Sequence, residues 1–367
     1  MKRGIFALAP IILMMAALGI LIAFGLTNII GEGVKIPKTI KLNTYEMSNA
    51  LDAAESYMGA AFRYSIYQAC YDILKNGGWY RIPQKNQKDG HAVWYNSEDS
   101  NVNPPEEQEF TDSLGSIIKS YLNVYTEGCR AWKSCYEFMG KYGVYLPEYI
   151  AIGIDGDKYS ASAGESISVK KIILERNESI FLEKDSSLET SVDIDCSGIY
   201  EKAKEIYPSI SPVLESILQT GFENLKTEYS QTLSNEIPNP TLERIADSVF
   251  ANNVGRQIND EEEDIENMLR GLISEVFTQS TDGDYLIEYD IHELVFDVMP
   301  VSCPESMNDA GDITYTCTFD YMVSASLKVT ITNTNSERKF PVYDGSHVTF
   351  DSMSIIFLIR DVEKKGF

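Results

Sequence analysis

No charged residue stands between Arg3 and Glu32 in "KRGIFALAPIILMMAALGILIAFGLTNIIGEG", and this run constrains the chain more than anything downstream. A helix rises roughly 1.5 Å per residue, so about 20 apolar residues cross a hydrocarbon core. The run exceeds that length and spans with some tilt. A cleaved secretory signal has a shorter apolar core of about 7–15 residues. Ala23 and Gly25 imitate its cleavage site, but the apolar stretch before them is too long to favour that reading. Pro10 lacks a backbone donor, which predicts a kink or a late helix start. Lys2 and Arg3 form a basic stub. Lys35, Lys38 and Lys41 follow the run, but everything beyond is acidic. The charge bias places the N-terminus on the cytoplasmic side and the bulk of the chain outside.

Lys2-Arg3-Gly4 runs directly into Ile5-Phe6-Ala7-Leu8-Ala9, which resembles the short signal of archaeal type IV prepilins. In that family a membrane peptidase cuts after the glycine, and the apolar helix stays to pack in a filament core. The resemblance implies Gly4 as the last residue lost and Ile5 as the first retained. Many pilins carry Glu as the fifth mature residue, a place that Ala9 holds here. "ALDAAESYM", farther on, is similar to the stretch after the anchor in some bacterial minor pilins.

The net charge of −24 repels phosphate backbones, so no nucleic-acid partner is expected. It suits solubility outside a cell. A hydrophobic content of 44% with 22 tyrosines argues for a folded head rather than a disordered stalk. An even set of six cysteines, Cys70, Cys129, Cys135, Cys196, Cys303 and Cys317, makes all of them disulfide candidates in an exported chain. No CxxC pair occurs, against a zinc ribbon or thioredoxin-like motif. In a helical "EGCRAWKSCYEF", Cys129 and Cys135 would stand about 9 Å apart along the axis. A disulfide rarely tolerates Cα atoms more than about 7 Å apart, so they are expected to bond elsewhere, with Cys70 and Cys196 as candidates. Cys303 and Cys317 flank "PESMNDAGDITYT" and suit a bond closing that loop. Type IV pilins, which the start of the chain resembles, often have such a loop near the C-terminus.

Periodicity then divides the chain into an anchor at 1–30, a linker at 31–42 and a head at 43–367. "GEGVKIPKTIKL" carries Gly31, Gly33 and Pro37 and reads as the linker. Asn43 with Glu46 resembles a reciprocal capping box. Met47, Leu51, Ala54, Met58, Ala61, Phe62 and Ile66 then mark one helical face, which Asn76-Gly77-Gly78 ends. Residues 81–109 read as irregular, and "NGGWYRIP" with Trp94-Tyr95 reads as core aromatics more than as a binding surface. A second helix carries Phe110, Leu114, Ile117, Ile118, Tyr121, Tyr125 and Trp132. Alternation from Tyr145 to Cys196 predicts strands. Helices return over 197–280, with Ser211-Pro212 and Asn239-Pro240 as starts; the last shows Ile265, Met268, Leu269, Leu272, Ile273, Val276 and Phe277. Residues 281–367 predict an antiparallel sheet, in which "NTNSERK" joins two strands as a hairpin. The fold class is α+β, with helices and strands segregated.

Chemical signals are sparse. Glu261, Glu262, Glu263 and Asp264 fall in a helix's first turn, where acids favour the dipole. Asp99, Asn101 and Asn103 have calcium-loop spacing, but Pro104 replaces the required glycine. Asp155, Asp157, Asp282 and Asp284 sit in Asp-Gly turns. His91, His292 and His347 are far apart in sequence. Ser116–Lys119 and Ser168–Lys171 match S-x-x-K without its companion motifs. Asn177 lies in a glycosylation sequon. No catalytic residue, metal ligand or cofactor is nominated, and the chain is read as a non-enzyme. The expected function is that of a single-pass, membrane-anchored surface protein with a structural or interaction role, as a pilin-like subunit or adhesin. Its expected partners are membrane lipid and other surface proteins or itself. The alternatives are a tethered extracellular ligand-binding or sensing domain, and an anchored hydrolase.

Overall fold

The computed structural model describes residues 37–127, 142–173, 178–236, 262–298, 305–307, 313–315, 320–334, 340–343 and 348–366. The anchor at 1–30, Gly4, Ile5, Cys129, Trp132, Cys135, Asn177, Asn239, Glu261, Cys303, Cys317 and His347 lie outside them. Among the described residues no helix is long and apolar enough to cross a membrane. The architecture is α+β, and the chain divides into two compact units. The units are discontinuous in sequence, and one boundary between them falls after Ser197. The first takes the chain as far as Ile73, then Glu107–Ser197 and Arg338–Met353; the second takes Leu74–Glu106, Gly198–Glu337 and Ser354–Phe367.

In the first unit, α1 (Pro37–Lys75) buries the face that the spacing marks, from Met47 through Phe62 and Ile66 to Ile73. It starts at Pro37, so part of the segment read as linker is helical and Asn43 is interior instead of a cap. Proline is well suited to the first helical position, because its fixed φ fits and its missing donor has no partner there anyway. Helix α2 (Glu107–Glu127) buries Phe110, Leu114, Ile117, Ile118 and Leu122. Two three-stranded antiparallel sheets accompany the helices, in the orders β3-β6-β7 and β4-β5-β8. Their strands are β3 (Gly143–Tyr145), β4 (Tyr149–Asp155), β5 (Lys158–Ala163), β6 (Ile167–Ile173), β7 (Glu178–Lys184) and β8 (Leu188–Ser191). Gly115 on α2 faces β4 closely: a Cβ there would lie 3.9 Å from Ile154 Cδ1. The hairpin β14 (Phe340–Tyr343) with β15 (Val348–Asp351) completes the unit.

The second unit holds a six-stranded sheet in the order β1-β2-β16-β13-β10-β9. Its long strands are β10 (Tyr285–Val298), β13 (Asp320–Asn333) and β16 (Ser354–Gly366), with β9 (Ser280–Asp282) at one edge; the short pair β11 (Glu305–Met307) and β12 (Ile313–Tyr315) belongs to the same unit. The C-terminal strands pair with one another antiparallel, as expected for residues 281–367, and β16 takes β2 as a parallel neighbour on its other side. Strands β1 (Gln87–Lys88) and β2 (His91–Asn96), preceded by a 3-10 turn at Gln84–Asn86, arise from the segment read as irregular. Their turn uses Asp89 and Gly90, both with positive φ, as a two-residue hairpin demands. In β13, Val323 through Leu327 are buried on both faces, with small Ser324, Ala325 and Ser326 at the centre. Most of "NTNSERK" lies outside the described residues; of the strands on either side of it, β13 pairs with β10 and β16, and β14 with β15.

Helix α3 (Cys196–Glu236) runs through Pro208 and Pro212 instead of starting at Ser211. Those prolines deprive the carbonyls of Lys204 and Pro208 of their intrahelical donors. The Ser209 hydroxyl bonds the Ile206 carbonyl at 2.7 Å in the same turn. Helix α4 (Glu262–Val276) buries Ile265, Leu269 and Ile273, while Val276 at its end is 52% exposed. At the heart of this unit, Trp94 is fully buried and stacks on Phe357 with ring centroids 4.0 Å apart. Trp94 is therefore core, in line with its reading as a core aromatic.

Candidate functional site

The first unit carries a groove of about 740 Å³. One turn after another of α1 supplies its floor through Ser56, Gly59, Ala60, Arg63, Tyr64 and Tyr67; β8 supplies Leu188, Glu189 and Thr190; β14 supplies Phe340 and Pro341. The helical three- and four-residue steps put the α1 residues on one face, beside the face that packs into the core. Gly59 keeps the floor low, since a Cβ there would meet nothing within 4 Å. The β14 wall is held to the helix by Gln68, whose amide exchanges two bonds with the Tyr343 backbone: Nε2 donates to its carbonyl at 3.1 Å, and Tyr343 N–H donates to Oε1 at 2.7 Å. The Tyr67 and Phe340 rings pack with centroids 5.0 Å apart.

Arg63 Nε donates to Thr190 Oγ1 at 2.9 Å, which orients the guanidinium over the groove's β8 side. Glu189 and Asp193 bring carboxylates to the same opening, and Tyr64 is 44% exposed. The lining holds no histidine or cysteine; Ser56 Oγ donates to the Asp52 carbonyl at 2.9 Å, and Thr190 Oγ1 to the Ser191 carbonyl at 3.3 Å. An aromatic, mixed-charge concavity of this kind can take a polar or peptide-like ligand.

Elsewhere the nominated residues take structural parts. Asp99 Oδ1 accepts the Asn101 amide at 2.9 Å and Asn103 Nδ2 donates to the Ser100 carbonyl, so the calcium-like spacing is spent on a turn. The Asn101 backbone and side-chain amides, both donating to Asp99 Oδ1, hold that carboxyl below its ordinary range. Gly156 and Gly283, with φ of 58° and 60°, make the two Asp-Gly hairpin turns. Ser168 and Lys171 lie three apart on β6 and so point to opposite faces, which disqualifies them as a pair. Ser116 and Lys119 are both exposed on α2. Among the described residues no cluster of three or more His, Cys, Asp or Glu is placed to hold a metal.

Two groupings were hidden in the sequence. In the second unit the rings of His91 and His292 lie 5.2 Å apart at 83°, with Asp89 Oδ2 at 3.6 Å from His292 Nε2. Burial lowers the His91 pKa, and the charges of His292 and Lys328 lower it further against the pull of Asp89. In the first unit Cys70 and Cys196 are buried together beside Tyr159. Both juxtapositions join residues far apart along the chain, and only the tertiary fold reveals them. Compared with known protein families, curated proteins and solved structures, the chain matches none of them.

Proposed function

We propose that this chain is a single-pass, membrane-anchored surface protein whose acidic α+β head recognises other surface proteins or further copies of itself, in the manner of a pilin-like subunit or adhesin. The observation that carries the proposal is the uncharged run between Arg3 and Glu32, which favours hydrocarbon as its solvent. The groove on the first unit supports recognition, because it offers Arg63, Tyr64 and Tyr67 to a partner. In this reading lipid holds the N-terminal helix, the N-terminus faces the cytoplasm and the head stands outside.

Mass spectrometry of the mature N-terminus tests the proposal. A chain starting at Ile5 supports pilin-like processing after Gly4, and an intact start supports a plain anchor. A start near Leu26 means release by cleavage and sinks both. The groove also favours a second reading, a tethered domain that binds a small polar or peptide ligand. Filling it with Gly59→Leu would abolish such binding and leave membrane attachment intact.

A further inference from the structure

Cys70 on α1 and Cys196 at the start of α3 are both fully buried, and neither is bonded to another cysteine in this structure. Roughly 125 residues of chain separate them, a loop of the size that disulfides close. Yet the two thiols lie within hydrogen-bonding reach of each other, inside the first unit. Tyr159, 1% exposed, lies against the pair, and its hydroxyl has no hydrogen-bond partner of ordinary length. A single buried cysteine is ordinary core filling. Two brought within hydrogen-bonding reach of each other, in a chain read as exported, are disposed as the two halves of a cross-link.

We propose that Cys70 and Cys196 are a disulfide-forming pair, joined in the mature protein by exchange with a small or protein-borne disulfide oxidant. One thiol, as its thiolate, attacks the oxidant's S–S bond and releases one reduced thiol. The second thiolate then attacks the mixed disulfide and expels the other. The pair loses two protons and two electrons, one S–S bond forms, and the oxidant leaves as two thiols. The pairing replaces the expectation that these residues serve Cys129 and Cys135. Burial raises the Cys196 thiol well above its usual range, so thiolate is scarce once the core has closed. Fully buried, the bond is shielded from reductants until the first unit opens.

Formation in the cell rests on the outside placement proposed above, and two arms keep the two ideas apart. In one arm, the full chain is isolated from membranes without reductant, alkylated in denaturant, digested and mapped unreduced. In the other, reduced and unfolded full chain is refolded with glutathione disulfide and mapped in the same way. The expected result in both is one cross-linked peptide pair carrying Cys70 and Cys196. A bond found only after refolding upholds the pair and contradicts the outside placement. Alkylation of both residues in both arms, or their capture by Cys129 or Cys135, overturns the proposal.

Discussion

Replacing Trp94 by Phe isolates one hydrogen bond within the second unit's core. The indole is fully buried, stacked on Phe357 with an interplanar angle of 11°, and edged by Tyr200 and Tyr207 at 6.0 and 5.6 Å. Its Nε1 donates to the Gly77 carbonyl at 2.9 Å. That carbonyl cannot swing away easily. Gly77 sits at φ +61°, where a Cβ would come within 2.5 Å of Ala92 Cβ, so the turn is pinned against β2. Phe keeps most of the stack but withdraws the donor. Stranding a buried acceptor costs about 1–3 kcal/mol, and the lost ring area adds about 1 kcal/mol. We expect a loss of about 2–4 kcal/mol, against about 3–5 kcal/mol for Trp94→Ala, which also opens a cavity. Urea unfolding followed by far-ultraviolet circular dichroism reads this as a midpoint lowered by about 1 M with the slope unchanged. A midpoint within about 0.2 M of the parent would refute the hydrogen-bond argument. A loss equal to that of Trp94→Ala would refute the stack.

Gly59→Ala should stabilise the first unit by about 0.5–1 kcal/mol, since a methyl there meets nothing and the helix loses a flexible residue; a lower thermal midpoint would show the floor to be packed after all. His91 has a folded pKa below its ordinary value, so the unfolded chain binds the proton more readily. Its contribution is therefore complete above about pH 6.5 and is lost as pH falls from there toward the folded pKa. His91→Gln should flatten the decline in stability between about pH 7 and 5, and an unchanged slope would assign the effect to other groups. Reducing a Cys70–Cys196 bond should cost the first unit about 4–5 kcal/mol from its closed loop. Equal melting curves with and without reductant present from the unfolded state would contradict that.

The parts of the fold that local chemistry dictates were legible. Asp-Gly at 155–156 and 282–283 gave hairpin turns, and the apolar steps of α1, α2 and α4 gave their buried faces. Where local signals competed, the weaker-looking one sometimes prevailed. Asp89-Gly90 carries the same turn chemistry, but its flanks are polar and β2 finds its partner in the distant β16, so the strand could not be inferred from its surroundings. Pro212 after Ser211 looks like a helix start, yet the packing of Tyr200, Ile210 and Leu214 carries α3 straight through it. The groove draws on three segments, and the His91–His292 and Cys70–Cys196 neighbours depend on which strands and helices meet. No spacing rule encodes those meetings.

Exposing intact cells that carry the full chain to an added protease, with membranes separated afterwards, bears most directly on the whole account. The prediction is a chain that sediments with membranes, withstands alkaline extraction and loses its head to the protease while a short apolar stub stays protected. A full-length product in the soluble fraction, or a head shielded until the cells are lysed, would contradict it.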